Sequence, residues 1–272
     1  MNINDPEFVI RASNDFEFFM TDVLGYQLSD FHKEQIKLMI SNRFVCIVNP
    51  IGHSKTTMYS VGYPLWRMFR ERKYEACLIS SSLDQSKKIF DTVQDIMYEN
   101  DLLRPLIPKG ADAVWNRTEM YTSNGNKYYV KPFNSSVRGV HPDLLVCDDI
   151  LRETDTPMEE IKDIFWGPIY GRVQNPIKKG QMIVVGTPLS HNDLFEDIRV
   201  KAAQFGWVYL HKRAVITDEK GTWVSALWPE RFTLEELRNI KDAMGNARFS
   251  REYMCDPSDE GSSLFPLSGL VA

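Results

Sequence analysis

Short apolar runs of strand length alternate along the chain with amphipathic stretches of helix length. This alternation is typical of a mainly parallel β-sheet covered by helices, because strands buried on both faces read as continuous apolar segments. The expected strands span residues 44–49, 76–81, 127–132, 143–148, 181–186 and 207–213, and the expected helices span 56–73, 83–99, 157–174 and 193–204. The pattern therefore predicts an α/β fold.

Turn and capping residues refine this order. Asn124 and Gly125 separate two β-rich segments, and an Asn-Gly pair favours a hairpin, so we expect one antiparallel pair within the otherwise parallel sheet. Residues 14–42 form a helical segment ahead of the first strand. Thr233 and Glu236 have the spacing of a capping box, which predicts one or two helices over residues 233–254.

Composition narrows the classes of protein to consider. The chain has 272 residues, of which 43% are hydrophobic and 25% charged, as in an ordinary globular protein. No apolar run approaches the roughly 18 residues that span a bilayer, and no leader pattern opens the chain, so we expect a cytosolic protein. A net charge of −5 excludes a uniformly basic nucleic-acid coat but allows a local basic patch. The four cysteines form no CxxC pair and are expected to be reduced core thiols.

A candidate phosphate site follows the first expected strand, where a glycine-containing loop leads into an amphipathic helix. The backbone N–H groups and the helix dipole attract anions. Lys55 would reach the terminal phosphates, and the hydroxyl of Thr56 would bind Mg²⁺. The expected nucleotide-binding residues of this loop are Pro50, Ile51, Gly52, His53, Ser54, Lys55, Thr56 and Thr57.

This loop matches the GxxxxGK[ST] pattern only in part. With Lys55 as the phosphate lysine, Asn49 and Ser54 occupy the two glycine positions, so Gly52 must supply part of the flexibility. The alternative is an ordinary turn between a strand and a helix. The position of the loop, directly between such elements, favours the phosphate site.

Two adjacent acids, Asp148 and Asp149, end the apolar run that begins at residue 143. A phosphoryl-transfer site needs carboxylates at a neighbouring strand end, to hold Mg²⁺ and to orient the attacking water. We assign Asp148 to the metal and Asp149 to the water, with Glu153 as a second candidate for the latter role. The alternative is an acidic loop after a core strand.

A family resemblance begins just upstream of these acids. Residues 134–143 (Asn-Ser-Ser-Val-Arg-Gly-Val-His-Pro-Asp) run directly into the acidic strand, and this string resembles the large terminase subunits of tailed bacteriophages. Gly-Thr-Pro at 186–188, followed by Asn-Asp-Leu, resembles the family's motif that couples hydrolysis to movement. Residues 31–35 (Phe-His-Lys-Glu-Gln) resemble its adenine-reading segment, and residues 228–232 (Trp-Pro-Glu-Arg-Phe) resemble the approach to its linker.

The resemblance implies a P-loop NTPase of the ASCE type that hydrolyses ATP with Mg²⁺ and drives double-stranded DNA into a procapsid. It also implies a homo-oligomeric ring that works with a portal protein and a small terminase subunit in the host cytoplasm, away from any membrane. On this basis, residues 1–230 are expected to form the ATPase domain, including the helical preface 1–42, and residues 231–272 a helical linker subdomain. Family members usually continue into a nuclease, and we expect no nuclease activity from this chain.

One departure from the family concerns an arginine. The family often has an arginine near the start of the phosphate loop, where this chain has Ile51. Arg138 is then the candidate to stabilise transition-state charge, including charge on a neighbouring subunit's ATP. A structural arginine that binds turn carbonyls is the alternative.

The same resemblance assigns the remaining roles. Gly186 and Thr187 are candidate coupling residues, and Thr187 could contact the attacking water or the γ-phosphate. Phe31 and Gln35 lie four residues apart, so the ring could stack on adenine while the amide reads its edge. A simple β-to-α turn and the end of a helix face are the respective alternatives. Candidate DNA-gripping clusters, each also interpretable as a solvated surface, are Arg70 with Arg72 and Lys73, Lys178 with Lys179, and Lys212 with Arg213.

Two other functions remain open at this stage. A helicase-type ATPase normally carries a second motor domain, and too little chain follows residue 214 to form one. A nucleotide-binding structural module with little hydrolysis is favoured only by Asn49 and Ser54 in the glycine positions. An ATP-driven DNA translocase is the leading hypothesis.

Overall fold

The computed structural model describes residues 5–110, 113–133, 141–152, 156–174 and 179–257. Within these ranges, one seven-stranded sheet has the order β3-β4-β2-β5-β6-β1-β7, and β8 and β9 form a separate ribbon. The strands are β1 (Phe44–Val48), β2 (Glu75–Ser80), β3 (Glu119–Tyr121), β4 (Lys127–Pro132), β5 (Leu144–Asp148), β6 (Gln181–Gly186), β7 (Trp207–His211), β8 (Val215–Thr217) and β9 (Trp223–Ala226).

Helices flank this sheet, and helices also precede β1 and follow β9. The α-helices are α1 (Pro6–Asn14), α2 (Phe16–Phe18), α3 (Asp30–Ser41), α4 (Tyr63–Arg70), α5 (Leu83–Glu99), α6 (Met158–Ile164), α7 (Tyr170–Val173), α8 (Leu194–Phe205), α9 (Leu234–Met244) and α10 (Asn246–Glu252). Three π-helical segments, Phe19–Val23, Thr56–Gly62 and Phe165–Ile169, and a 3₁₀ turn at Arg104–Leu106 complete the set. No helix in these described ranges is both long and apolar enough to cross a bilayer.

The predicted α/β fold is confirmed. Every neighbouring pair in the large sheet is parallel except β3 and β4, which form the antiparallel hairpin expected around Asn124 and Gly125. Strand β6 lies between β1, which leads into the phosphate loop, and β5, which ends in the acids. The strand that leads into the phosphate loop and the strand that ends in the acids are therefore separated by one further strand.

The sheet is buried on both faces. Along β1, Val45 and Ile47 belong to one apolar cluster, while Cys46 and Val48 belong to the cluster on the opposite face. Side chains alternate between the faces of a strand, so a strand covered on both sides needs apolar residues throughout. All four cysteines are buried and unpaired, in agreement with the expected core thiols.

The long helix predicted over residues 56–73 is instead divided, with a π-helical first part and then α4. Pro64 near the start of α4 has no N–H to donate to the carbonyl of Ser60, four residues earlier. The hydroxyl of Tyr128 donates a 2.7 Å hydrogen bond to that carbonyl instead. The hydrogen bond that Pro64 cannot make is thus replaced by one from strand β4, and the predicted helix changes from π-helical to α-helical geometry at this point.

A small third cluster, centred on Ala214, Ala226, Leu237 and Phe249, lies apart from the two sheet faces. The β8–β9 ribbon that helps to form it was not predicted from the sequence. The predicted capping box is present, since the side chain of Thr233 accepts from the backbone of Glu236 and the Glu236 carboxylate accepts from the Thr233 backbone at 2.7 Å. The division of the chain at residue 230 stays a prediction.

Candidate active site

The loops that follow β1, β5 and β6 enclose one cavity of about 460 Å³. The carboxyl ends of parallel strands lie at the same edge of a sheet, so this is the edge where ligands bind in open α/β folds. Residues that follow β9 contribute the opposite wall. The cavity is lined by residues 51–57, Asp148, Asp149, Leu151, Thr187, Pro188, Leu189, Arg231, Arg251 and Glu252.

The phosphate loop keeps a tight backbone despite its unusual sequence. Gly52 has a φ of 75° and Ser54 a φ of 58°, both in the left-handed region that favours glycine. Ser54 occupies the second glycine position of the pattern and adopts that conformation at some cost in strain. Two of the loop residues therefore have left-handed backbone, although only one of them is glycine.

Lys55 lies at the centre of the cavity wall. Its Nζ donates to the carbonyls of Asn49 (2.7 Å) and Pro50 (2.9 Å) and to the hydroxyl of Thr187 (2.9 Å). Burial lowers the pKa of Lys55, while Asp149 and Asp148 act in the opposite direction. The predicted phosphate lysine and the predicted coupling residue Thr187 are thus in direct contact, although 132 residues separate them.

The two acids after β5 lie in different environments. Asp148 is fully buried, and its Oδ2 accepts a 2.6 Å hydrogen bond from Ser60. Its Oδ1 has no hydrogen-bond partner among the residues described. Burial raises the pKa of Asp148 to about 6, against the nearby hydroxyls of Ser60 and Thr56, which lower it. Asp149 is exposed and has a φ of 50°.

An unpartnered carboxylate oxygen beside a threonine hydroxyl is a suitable donor set for Mg²⁺. Mg²⁺ on a nucleotide keeps several waters and needs only one or two protein ligands. Thr56 and Asp148 both line the cavity. No group of three His, Cys, Asp or Glu side chains in the described part of the chain could hold a metal alone. The residues therefore fit a cation that arrives with phosphate.

The loop after β6 is held in place by close packing and by helix capping. A Cβ on Gly186 would lie 2.5 Å from the ring of Phe195, so α8 can approach the strand only because residue 186 is glycine. The carboxylate of Asp193 accepts from the backbone N–H groups of Phe195 (2.9 Å) and Leu189 (2.8 Å). These contacts fix the backbone on both sides of Thr187.

Phe31 and Gln35 lie on α3 but do not line this cavity. Gln35 is fully buried, and its amide exchanges two hydrogen bonds with the amide of Asn49, at 2.8 and 3.0 Å. The hydroxyl of Tyr59 also donates to Gln35 Oε1 (2.8 Å). The Gln35 amide therefore supports the start of the phosphate loop, and contact of this pair with a base stays a prediction.

A second cavity, of about 500 Å³, adjoins the phosphate loop. Its walls combine aromatic and apolar side chains with a few polar groups, as small-molecule pockets generally do. Sequence reasoning did not find this cavity, because its residues come from three separate segments. It is lined by Met20, Gly25, Tyr26, Gln27, Leu28, Ser54, Thr57, Met58, Trp228, Glu230 and Arg231.

The predicted C-terminal subdomain, together with Trp228 just before it, packs on the phosphate loop and on α3. The ring of His53 stacks on Phe232, with centroids 5.0 Å apart and an interplanar angle of 18°. His32 meets Trp228 edge to face at 4.6 Å, and the N–H of Ile51 donates to the carbonyl of Glu252 at 2.9 Å. Sequence reasoning treated this subdomain as a linker and missed these contacts.

Both histidines at this contact make stability depend on pH. Burial lowers the pKa of His32 and of His53 to about 4, so the unfolded chain binds more protons between pH 4 and 6.5. The free energy of unfolding should therefore fall as pH decreases through this window, by up to about 3 kcal/mol per histidine. We expect His53→Phe to show a smaller fall than the wild type in denaturant titrations from pH 7 to 4.5.

The exposed His191 provides the control for this titration, and His191→Gln should follow the wild type. An equal pH dependence in His53→Phe and wild type would contradict the assignment of His53 as a buried neutral group.

Several predicted residues lie outside the described ranges, namely Arg138, Glu153 and Lys178. Among the described basic clusters, Lys212 pairs with Glu34 (2.7 Å) and Arg213 with Asp256 (3.3 Å). Arg70 pairs with Glu71 at 3.3 Å. Which cluster grips DNA therefore stays a prediction.

Comparison with known proteins identifies relatives of the fold. Neither protein-family models nor curated protein sequences match the chain. Among solved structures, the ATPase domain of the Thermus phage P74-26 large terminase has a TM-score of 0.60 at 13% identity, over 87% of this chain and 96% of that one. The large terminase of bacteriophage HK97 has a TM-score of 0.62 at 16% identity, over 85% of this chain and 50% of that one.

A third match is the large terminase of a thermophilic bacteriophage in complex with ADP. It has a TM-score of 0.54 at 10% identity, over 91% of this chain and 52% of that one. The chain thus spans about half the length of the two longer terminases. It shares its α/β P-loop fold with the ATPase domains of phage large terminases.

Proposed function

We propose that the chain binds and hydrolyses Mg·ATP and, as the ATPase of a DNA-packaging motor, uses that energy to move double-stranded viral DNA into a procapsid. The observation that carries the proposal is the set of groups around one cavity. Lys55, the unpartnered oxygen of Asp148 and the hydroxyl of Thr187 come from three neighbouring strand ends. Phosphoryl transfer requires such groups to position the phosphates and to neutralise their charge.

Each residue has a distinct task in this proposal. Lys55 exchanges its loop carbonyls for phosphate oxygens, and the loop N–H groups bind the same phosphates. Thr56 and Asp148 hold Mg²⁺, which neutralises charge on the phosphates when it is bound. Asp149, or Glu153 as the second candidate, orients the attacking water. Thr187 passes the state of the phosphate site to the β6–α8 loop through its bond with Lys55.

We assign the base to the second cavity, which shares its wall with the phosphate loop. Trp228 and Tyr26 there offer aromatic surface to a heterocycle, and Gln27 offers hydrogen-bonding groups. Phe31 lies behind Trp228, with ring centroids 6.1 Å apart, and Gln35 holds Asn49. Phe31 and Gln35 would then support nucleotide binding indirectly, through their contacts with Trp228 and Asn49.

The motor assignment rests on fold similarity and on the motifs of the sequence. The proteins of similar fold carry the names of phage large terminases, and one of those structures contains ADP. We propose a homo-oligomeric ring in the host cytoplasm, with a portal protein and a small terminase subunit as partners. In such a ring Arg138 would reach a neighbouring subunit's ATP.

The test is Mg·ATP hydrolysis over a range of protein concentrations, with and without linear double-stranded DNA. We expect turnover to rise with concentration and DNA, and Asp149→Asn to reduce it by roughly 10² or more. Asp163→Asn changes an exposed acid on α6 and should behave as wild type. If Arg138→Ala and Lys55→Ala proteins are each inactive but regain activity when mixed, the site is shared between subunits.

Other outcomes would select the alternative functions. Nucleotide binding without turnover at any concentration, even with DNA and with portal protein, would indicate a structural module and overturn the motor proposal. Preference for single strands together with strand separation would indicate a helicase.

A further inference from the structure

Three residues border both cavities at once: Ser54, Thr57 and Arg231. Any ligand that occupies both cavities must therefore pass these three residues, which we call the junction. For a nucleotide with its terminal phosphates beside Lys55 and its base beside Trp228, the part that crosses is the sugar with the adjoining phosphate. The junction is therefore the place where a charge on the protein would meet the first phosphates.

Arg231 brings to this junction a positive charge that pairs with no acid among the described residues. Its guanidinium lies 5.1 Å from the centroid of the Trp228 ring and 5.7 Å from that of Phe232. Its backbone N–H donates to the carbonyl of Trp228 at 3.1 Å, but within the described residues its guanidinium makes no ion pair or hydrogen bond. By comparison, Arg199 at the surface of α8 is paired with Glu196 at 2.6 Å.

Arg231 is exposed, and its guanidinium lies against aromatic rings at the junction. The rings of Trp228 and Phe232 hold the guanidinium by cation–π contact. Its charge is one of the factors that lower the pKa of His32 and His53, which both stay neutral beside it. Arg251 also lines the phosphate cavity, but it lies 3.4 Å from the carboxylate of Glu252. Arg231 thus presents an exposed guanidinium at the edge of both cavities, without a partner among the described residues.

We propose that Arg231 is a nucleotide-binding residue that contacts the phosphate next to the nucleoside, a group present in both ATP and ADP. This inference rests on the proposed nucleotide-binding function and deepens it. A guanidinium held over aromatic rings can donate several N–H groups to phosphate oxygens. Because Phe232, the next residue, packs on His53, a phosphate bound by Arg231 would be linked to the position of the predicted C-terminal subdomain.

The test compares Arg231→Ala, Arg231→Lys and a matched control, Arg238→Ala, by titration with Mg·ADP, with Mg·ATP at 4 °C and with inorganic tripolyphosphate. Arg238 also lies over an aromatic ring of this subdomain, 5.6 Å from Trp223, but away from both cavities. We expect Arg231→Ala to weaken all three ligands by about tenfold or more, since a hydrogen bond to a charged group is lost. Arg231→Lys should recover part of the affinity, and Arg238→Ala should bind as wild type.

Thermal unfolding without ligand checks that each variant is folded before it is titrated. If Arg231→Ala weakens ADP but not tripolyphosphate, the arginine contacts the base and the inference is wrong. Wild-type affinity of Arg231→Ala for all three ligands, with Lys55→Ala impaired, would also overturn it while leaving the proposed function intact. If the wild type itself binds no nucleotide, the proposed function fails instead.

Discussion

Lys55→Ala protein should hydrolyse ATP about 10²- to 10³-fold more slowly than the wild type. This is the effect expected when one preorganised hydrogen-bond donor to the transition state is removed. In the structure the ammonium is already directed into the loop by two carbonyls and by Thr187. In the proposed mechanism, phosphate oxygens replace these partners. The alanine variant has no group that can do so.

The measurement is steady-state hydrolysis together with equilibrium binding of Mg·ATP. The control is Lys37→Ala, an exposed lysine on α3. Loss of hydrolysis with retained folding is the expected result, and weaker binding should accompany it because the charge contacts phosphate in the ground state as well. Hydrolysis at the wild-type rate in Lys55→Ala would mean that this loop is an ordinary β–α turn.

Asp148→Asn should increase the free energy of unfolding and at the same time reduce ATP hydrolysis. The carboxylate is fully buried and one of its oxygens has no partner among the described residues, so its charge is costly without a cation. Asparagine removes the charge and keeps an oxygen for the Ser60 hydroxyl. Because Mg²⁺ needs the anionic oxygen, hydrolysis should fall by roughly 10² or more.

The stability effect depends on pH in a defined direction. The pKa of Asp148 is raised from 3.8 to about 6 in the folded protein, so ionisation opposes folding at any pH above the unfolded value. The gain in Asp148→Asn should therefore be absent below about pH 4, grow as pH rises through 6, and reach at most about 3 kcal/mol at pH 8.

Chemical denaturation at pH 4 and pH 8, without Mg²⁺ or nucleotide, measures this difference. Asp149→Asn is the matched control, since its carboxylate is exposed and the substitution should give no comparable gain. A lower stability of Asp148→Asn at pH 8 would show that the carboxylate is favourably bound in the free protein. That result would remove the argument for a cation at its open oxygen.

Much of the site could be predicted from local sequence, for identifiable reasons. The loop before Lys55 and the acids after residue 147 follow apolar runs, and a buried parallel strand must deliver the next polar residues to the ligand-binding edge. The capping box of Thr233 and Glu236 was predicted because its hydrogen bonds form within four residues. The left-handed conformation of Ser54, at the second glycine position of the pattern, could not be predicted, because serine rarely adopts it.

Contacts between remote segments were beyond such reasoning. The two hydrogen bonds between Gln35 and Asn49 could not be predicted, because the residues on a helix face do not show which strand the helix will pack against. The division of the helix at Pro64 depends on a hydroxyl from Tyr128 in the opposite hairpin. The second cavity combines residues from segments about 200 positions apart.

The sequence by itself thus determined the type and position of the main elements and the chemistry at the ends of β1, β5 and β6, because hydrophobic periodicity records how each element is buried. Tertiary structure alone decided that β6 separates β1 from β5, that Thr187 meets Lys55, and that Arg231 stands between the two cavities. The physical reason is that apolar strands and helix faces are chemically alike. Which of them become neighbours is selected by the packing of the whole chain, and only that packing brings distant polar groups together.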